Sequence, residues 1–79
     1  MKIEVALDHE GDAWGAFAES PEIHGFVTAT GRSREDVIAK FESALRFHVA
    51  GLREDGIAVP DVTQIAIREV SEIRELAAA

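Results

Sequence analysis

The chain of 79 residues contains no cysteine, which excludes disulfide bonds, thiolate zinc sites and a cysteine nucleophile. It also lacks any apolar run that approaches the roughly 20 residues of a membrane-spanning helix. Its first residues alternate charged and apolar side chains, which is not the pattern of a signal peptide. We therefore expect a cytoplasmic protein that folds as a single domain over residues 1–79.

Basic residues are scarce as well. The chain has 8 Lys and Arg against 15 Asp and Glu, so its net charge at pH 7 is −7. Because an acidic surface repels phosphate groups, we do not expect this domain to bind nucleic acid directly. The charge is compatible with a basic protein partner, and also with a surface that only keeps a small domain in solution.

The segment from Gly31 to Gly56 predicts one long amphipathic helix. Ser33 can accept a backbone N–H of the first turn, and Asp36 can reach back as a variant of the capping box. Gly56 supplies the left-handed residue that ends a helix. Apolar residues recur along this segment at spacings of three and four: Val37, Ile38, Phe41, Ala44, Leu45, Val49 and Leu52. A helix with one apolar stripe needs one sheet to pack on.

Four segments have the patterns of β-strands. Apolar and charged residues alternate along residues 2–8, and residues 13–19 predict a second strand that forms a hairpin with the first. Residues 26–30 and 63–70 predict two further strands. The helix returns the chain across the sheet, so we expect the fourth strand parallel to the first through a right-handed crossover. The predicted fold is α+β in the order β-β-β-α-β, a mixed sheet covered on one face by one long helix. Residues 71–79 could add a helical turn or fray.

The predicted helix leaves the second face of the sheet uncovered. Phe17, Val27 and Ala29 could project there, depending on the register, and that face could be solvated or could bind a partner. Phe47, at the margin of the helix stripe near Gly51, could seal a contact with another chain or merely cover the edge of the sheet. We predict Phe17, Val27 and Phe47 as contact residues for a partner or for a homo-oligomer, most simply a symmetric dimer.

No catalytic, cofactor or metal site is expected. His9, His24 and His48 do not have the spacing of a metal site, and we interpret His48, on the apolar helix face, as a packed and hydrogen-bonded residue. A two-metal nuclease remains an alternative, because carboxylates cluster on the first hairpin: Glu4, Asp8, Glu10 and Asp12. The chain has no glycine-rich phosphate-binding loop, and we predict that it is not an enzyme.

Three motifs resemble those of a known family. Pro21-Glu22-Ile23-His24-Gly25 forms a proline-acid-apolar-x-glycine loop, Gly31-Arg32-Ser33 opens the helix, and Gly51-Leu52-Arg53-Glu54-Asp55-Gly56 ends it, with Pro60 following. On these motifs, residues 2–70 resemble the HicB antitoxin family and its single-domain relatives. Two positions differ, because His24 stands where the family often has proline and Phe26 where cysteine is frequent.

The resemblance implies a partial ribonuclease H-like fold and a non-catalytic antitoxin of a toxin–antitoxin system. Such an antitoxin binds and occludes a small basic HicA-type ribonuclease. Many family members add a C-terminal DNA-binding segment, which this sequence does not show up to Ala79, so we expect no DNA autoregulation. The alternative is a stand-alone oligomeric domain with another cellular role and no toxin partner.

Overall fold

A computed structural model describes residues 2–61 and 64–69. The chain forms strand β1 (Lys2–Glu10), strand β2 (Ala13–Ser20), a 3-10 turn (Pro21–Ile23), strand β3 (Gly25–Gly31), helix α1 (Arg34–Glu54) and strand β4 (Gln64–Glu69). These strands form one mixed sheet in the order β3-β2-β1-β4, in which β4 runs parallel to β1 and the other pairs are antiparallel. The predicted α+β fold is confirmed. Its ribonuclease H-like character and the crossover handedness stay predictions, and residues 71–79 lie outside the described part.

Helix α1 begins at a side-chain cap. The Ser33 hydroxyl oxygen accepts the backbone N–H of Asp36 at 3.0 Å, and Asp36 Oδ2 accepts the backbone N–H of Arg32, also at 3.0 Å. The carboxylate therefore reaches one residue further back than in a standard capping box. The Nζ atom of Lys40, one helical turn after Asp36, lies 3.1 Å from the same Asp36 Oδ2. The predicted cap is confirmed.

The helix ends in a Schellman motif. Gly56 has a φ of 78°, its N–H donates to the carbonyl of Arg53, and the N–H of Ile57 donates to the carbonyl of Leu52. The Arg53 guanidinium then donates to the carbonyl of Val59 at 3.1 Å and to the carboxylate of Asp61 at 2.9 Å. These bonds hold the start of the crossover against the helix terminus.

One hydrophobic core lies between the helix and the sheet. The strands contribute Ile3, Val5, Leu7, Ala16, Ala18 and Val27, the loop contributes Ile23, and the helix contributes Val37, Phe41, Leu45 and Val49. Leu52, the last residue of the predicted apolar stripe, is only half-buried. The helix lies nearest β3 and then β2, so its axis is displaced toward the β3 edge of the sheet. We call the opposite side of the sheet the open face.

The loop between β2 and β3 is fixed by one buried residue and one histidine. Ile23 is completely buried, and the chain turns after it because His24 takes a left-handed φ of 55°. Nε2 of His48, on α1, donates to the carbonyl oxygen of Ile23 at 2.8 Å. The interpretation of His48 as a packed, hydrogen-bonded residue is therefore confirmed.

Candidate protein-binding surface

Two aromatic side chains form the centre of the open face. Phe17 on β2 and Phe26 on β3 stack with their ring centroids 5.8 Å apart, and they remain 44% and 59% exposed. Phe17 is flanked by its cross-strand partners Ala6 and Thr28, which are too small to cover its ring. Exposed aromatic rings that sit among small side chains are available to pack against another molecule.

Carboxylates share the open face with this aromatic pair. Glu19 is directly opposite Phe26 in the register of β2 and β3, so both side chains lie on the same face. Among the described side chains of the open face, the acidic residues are Glu4, Asp8, Glu10 and Glu19, whereas the basic ones are Lys2 and Arg68. The open face therefore combines an apolar centre with an excess of negative charge.

A second apolar feature lies where α1 passes over the outer strand of the sheet. We call it the β3 groove, a depression of about 430 Å³ lined by Phe26, Val27, Ala44, Phe47, His48, Gly51, Leu52 and Asp55. Phe47 is 84% exposed at its rim. A β-carbon added at Gly51 would meet no atom within 4 Å, so the space above this glycine is open.

The structure corrects one of the three predicted contact residues. Phe17 lies on the open face and Phe47 is exposed at the flank of the helix, as their roles require. Val27 instead faces the helix and is only 6% exposed, and Ala29 lies on the same covered side. The reason is strand parity, because the exposed positions Phe26, Thr28 and Thr30 alternate with the inward ones along β3. Whether Phe17 and Phe47 contact a partner stays a prediction.

Phe26 is the exposed aromatic that sequence reasoning missed. Thr28 and Thr30 lie on the same side of β3 as Phe26, and two threonines in alternation mark a solvent-facing side. That period-two signal was present in the sequence. It would have placed Phe26 on the open face and Val27 in the core.

The carboxylates of the first hairpin do not form a recognisable metal centre. Within residues 2–61 and 64–69, no group of three or more His, Asp or Glu side chains could hold a metal ion. His9 lies in β1 and stacks on Trp14 of β2 with ring centroids 4.1 Å apart. In the described part of the chain, no helix is both long and apolar enough to cross a membrane.

Among the described residues, two carboxylates have lowered pKa values, and each lies in the first turn of a helix. The pKa of Asp36 is lowered mainly because the backbone N–H of Arg32 donates to it, with a smaller effect of Lys40. The pKa of Glu22 is lowered mainly because the Ser20 hydroxyl donates to its carboxylate. Both carboxylates accept hydrogen bonds from the turn residues beside them, so they have structural roles.

Comparisons with models of protein families, with curated proteins and with solved structures found no match for this chain. The resemblance to HicB antitoxins therefore stays a prediction from the sequence motifs.

Proposed function

We propose that this domain is a non-catalytic protein-binding module whose open face binds a small basic protein. The observation that carries the proposal is the exposed Phe17–Phe26 pair on a sheet face where carboxylates outnumber basic side chains among the described residues. The sequence motifs further suggest the partner, a HicA-type ribonuclease that the domain would occlude as an antitoxin.

The aromatic pair supplies the apolar anchor of such an interface. Rings of this size contribute much of the binding energy when they are fully desolvated, and residues of this kind dominate interfaces near their centre. Phe17 and Phe26 are already stacked in the free domain, so little side-chain entropy is lost when a partner covers them. The backbone pairing of β2 with β3 fixes the positions of the two rings relative to each other.

The charge distribution supports a basic partner over a neutral or acidic one. Glu19 adjoins Phe26, and the further carboxylates of the open face exceed its bases. The net charge of the whole chain, −7, has the same sign. A positive partner would therefore be steered toward the open face from a distance, and wrong partners of negative charge would be repelled.

Titration calorimetry with a HicA-type ribonuclease encoded beside the gene for this chain tests the proposal. Phe17→Ala should weaken binding at least tenfold, equivalent to about 1.4 kcal/mol, because the anchor ring is lost. Phe47→Ala is the matched control, since it removes an equally large exposed ring from the helix flank. It should leave the affinity within about twofold. An equimolar amount of the wild-type domain should also inhibit RNA cleavage.

A second pair of variants tests the electrostatic part. Glu19→Lys and Glu54→Lys change the net charge equally, but Glu19 adjoins the aromatic pair and Glu54 lies at the end of α1. Glu19→Lys should slow association and Glu54→Lys should not. Equal effects of Phe17→Ala and Phe47→Ala, or the absence of any HicA-type gene nearby, would contradict the antitoxin role.

A further inference from the structure

Strand β3 is an unprotected edge of the sheet. It is the outer strand in the order β3-β2-β1-β4, and its seven residues, Gly25–Gly31, include no charged side chain and no proline. Edge strands usually carry such residues because their unpaired backbone groups otherwise pair with another chain. The outer strand at the opposite edge, β4, has Arg68 and Glu69 in its sequence.

The helix flank above this edge is apolar too. Phe47 projects from α1 at the rim of the β3 groove, and Asp55 is the one carboxylate among the residues that line the groove. Gly51, one turn after Phe47, leaves room for a backbone to approach. The edge strand and the helix flank thus form one continuous strip that is almost without charge.

We infer that a second copy of this chain occupies this strip, with the two β3 strands paired antiparallel around a two-fold axis at Thr28. Thr28 is the middle residue of Gly25–Gly31, so pairing centred there uses the full length of both strands. Any shift of the axis shortens the ladder. The two sheets would join into one of eight strands, with both helices on the same side.

This register is self-complementary in its side chains as well. It places Phe26 opposite Thr30 of the second copy, and Val27 opposite Ala29. Open-face side chains of one copy are then opposite open-face side chains of the other copy. In the same way, side chains on the helix-covered face are opposite each other. Threonine opposite threonine at the axis is a favourable cross-strand pair.

The lack of charge at this strip favours a second copy of the chain over a basic partner. A basic protein is attracted electrostatically by carboxylates, which lie on the open face and not along β3. Two chains of net charge −7 repel each other least where the contacting strip is uncharged. The inference therefore does not rest on the proposed function. In the dimer, the two Phe17–Phe26 pairs would lie on one continuous open face, and each pair would be available to one partner.

Sedimentation equilibrium of the full chain at micromolar concentration tests the pairing. The wild type should have twice the monomer mass of 8.6 kDa. Thr28→Lys puts two ammonium groups opposite each other at the axis, and it should weaken self-association at least tenfold. The control Ala39→Lys makes the same charge change at an exposed helix position and should leave the dimer intact. Circular dichroism verifies that both variants fold.

A cross-linking experiment tests the register independently. Because the chain has no cysteine, Thr28→Cys introduces a single thiol, which at the axis faces its own copy. Opposite residues of an antiparallel pair have Cα atoms about 4.5–5.5 Å apart, within the span of a disulfide. Mild oxidation should give a covalent dimer much faster than for the control Ala39→Cys. A monomeric wild type, a dimer insensitive to Thr28→Lys, or equal cross-linking of both variants would overturn the inference.

Discussion

Replacement of Gly31 by alanine should destabilise the domain far more than its position at the end of a strand suggests. A β-carbon at Gly31 would lie 2.7 Å from the backbone nitrogen of Val37 and 2.9 Å from its Cα. It would also lie 2.8 Å from Asp36 Oδ2. The side-chain oxygen can rotate away, but the backbone of the first helical turn cannot move without disturbing the cap at Ser33.

The magnitude follows from two costs. Overpacking against a fixed backbone typically costs about 1–3 kcal/mol. Loss of the cap, in which Ser33 and Asp36 accept backbone N–H groups, adds about 1 kcal/mol. The sum is roughly 2–4 kcal/mol, which is a large part of the roughly 4–12 kcal/mol expected for a domain of this size. The melting temperature should fall by roughly 10–25 °C.

Urea denaturation followed by circular dichroism measures this free energy directly. Gly15→Ala is the matched control, because a β-carbon at Gly15 meets no atom within 4 Å. That variant should be neutral, or stabilised by roughly 0.4–1 kcal/mol through the loss of chain entropy in the unfolded state. If Gly31→Ala unfolds within about 0.5 kcal/mol of the wild type, the close approach of strand and helix is wrong.

Four further predictions concern the core, the cap, the absence of catalysis and the two surfaces. Phe41→Ala should cost about 3–5 kcal/mol of unfolding free energy, because the ring is buried in the core. The pKa of Asp36 in the folded state lies below its ordinary value of 3.8. Its stabilising effect is therefore complete above about pH 4 and is lost as the pH falls through the folded value, so Asp36→Asn should flatten the acid side of the stability curve. With magnesium or manganese, the protein should not cleave RNA or DNA; cleavage abolished by Glu4→Gln or Asp8→Asn would instead establish a nuclease. Raising salt from about 0.05 M to about 0.5 M should strengthen self-association and weaken binding of a basic partner, and the same sign for both would contradict the separation of the two surfaces.

The parts of the fold that depend on local chemistry could be predicted from the sequence. Ser33, Asp36 and Gly56 mark the helix ends because caps and left-handed residues act within one turn. The side of β1 that is buried could be predicted, since apolar and charged residues alternate without exception over residues 2–5. The parallel pairing of β4 with β1 followed from the helix, which returns the chain across the sheet before β4 begins.

The position of the helix over the sheet could not be predicted in the same way. In β3, apolar residues occupy both sides at Phe26 and Val27, so hydrophobicity alone does not choose the parity of the strand. The displacement of α1 toward β3 depends on packing between elements far apart in sequence, which no local pattern encodes. This displacement forms the β3 groove over the outer strand, whereas the error at Val27 is one of strand parity, which the alternating Thr28 and Thr30 mark.

The pairing of β4 with β1 has a consequence for the order in which the domain assembles. Lys2 pairs with Gln64, so this ladder joins opposite ends of the described chain, while β1, β2, β3 and α1 follow one another closely. Closing a loop of this length costs on the order of 3–4 kcal/mol of chain entropy. On the ribosome, the hairpin, β3 and the helix emerge first, and β1 keeps one bare edge until residues 64–69 are made. Pauses in translation before that point would prolong the exposure of this edge to other nascent chains.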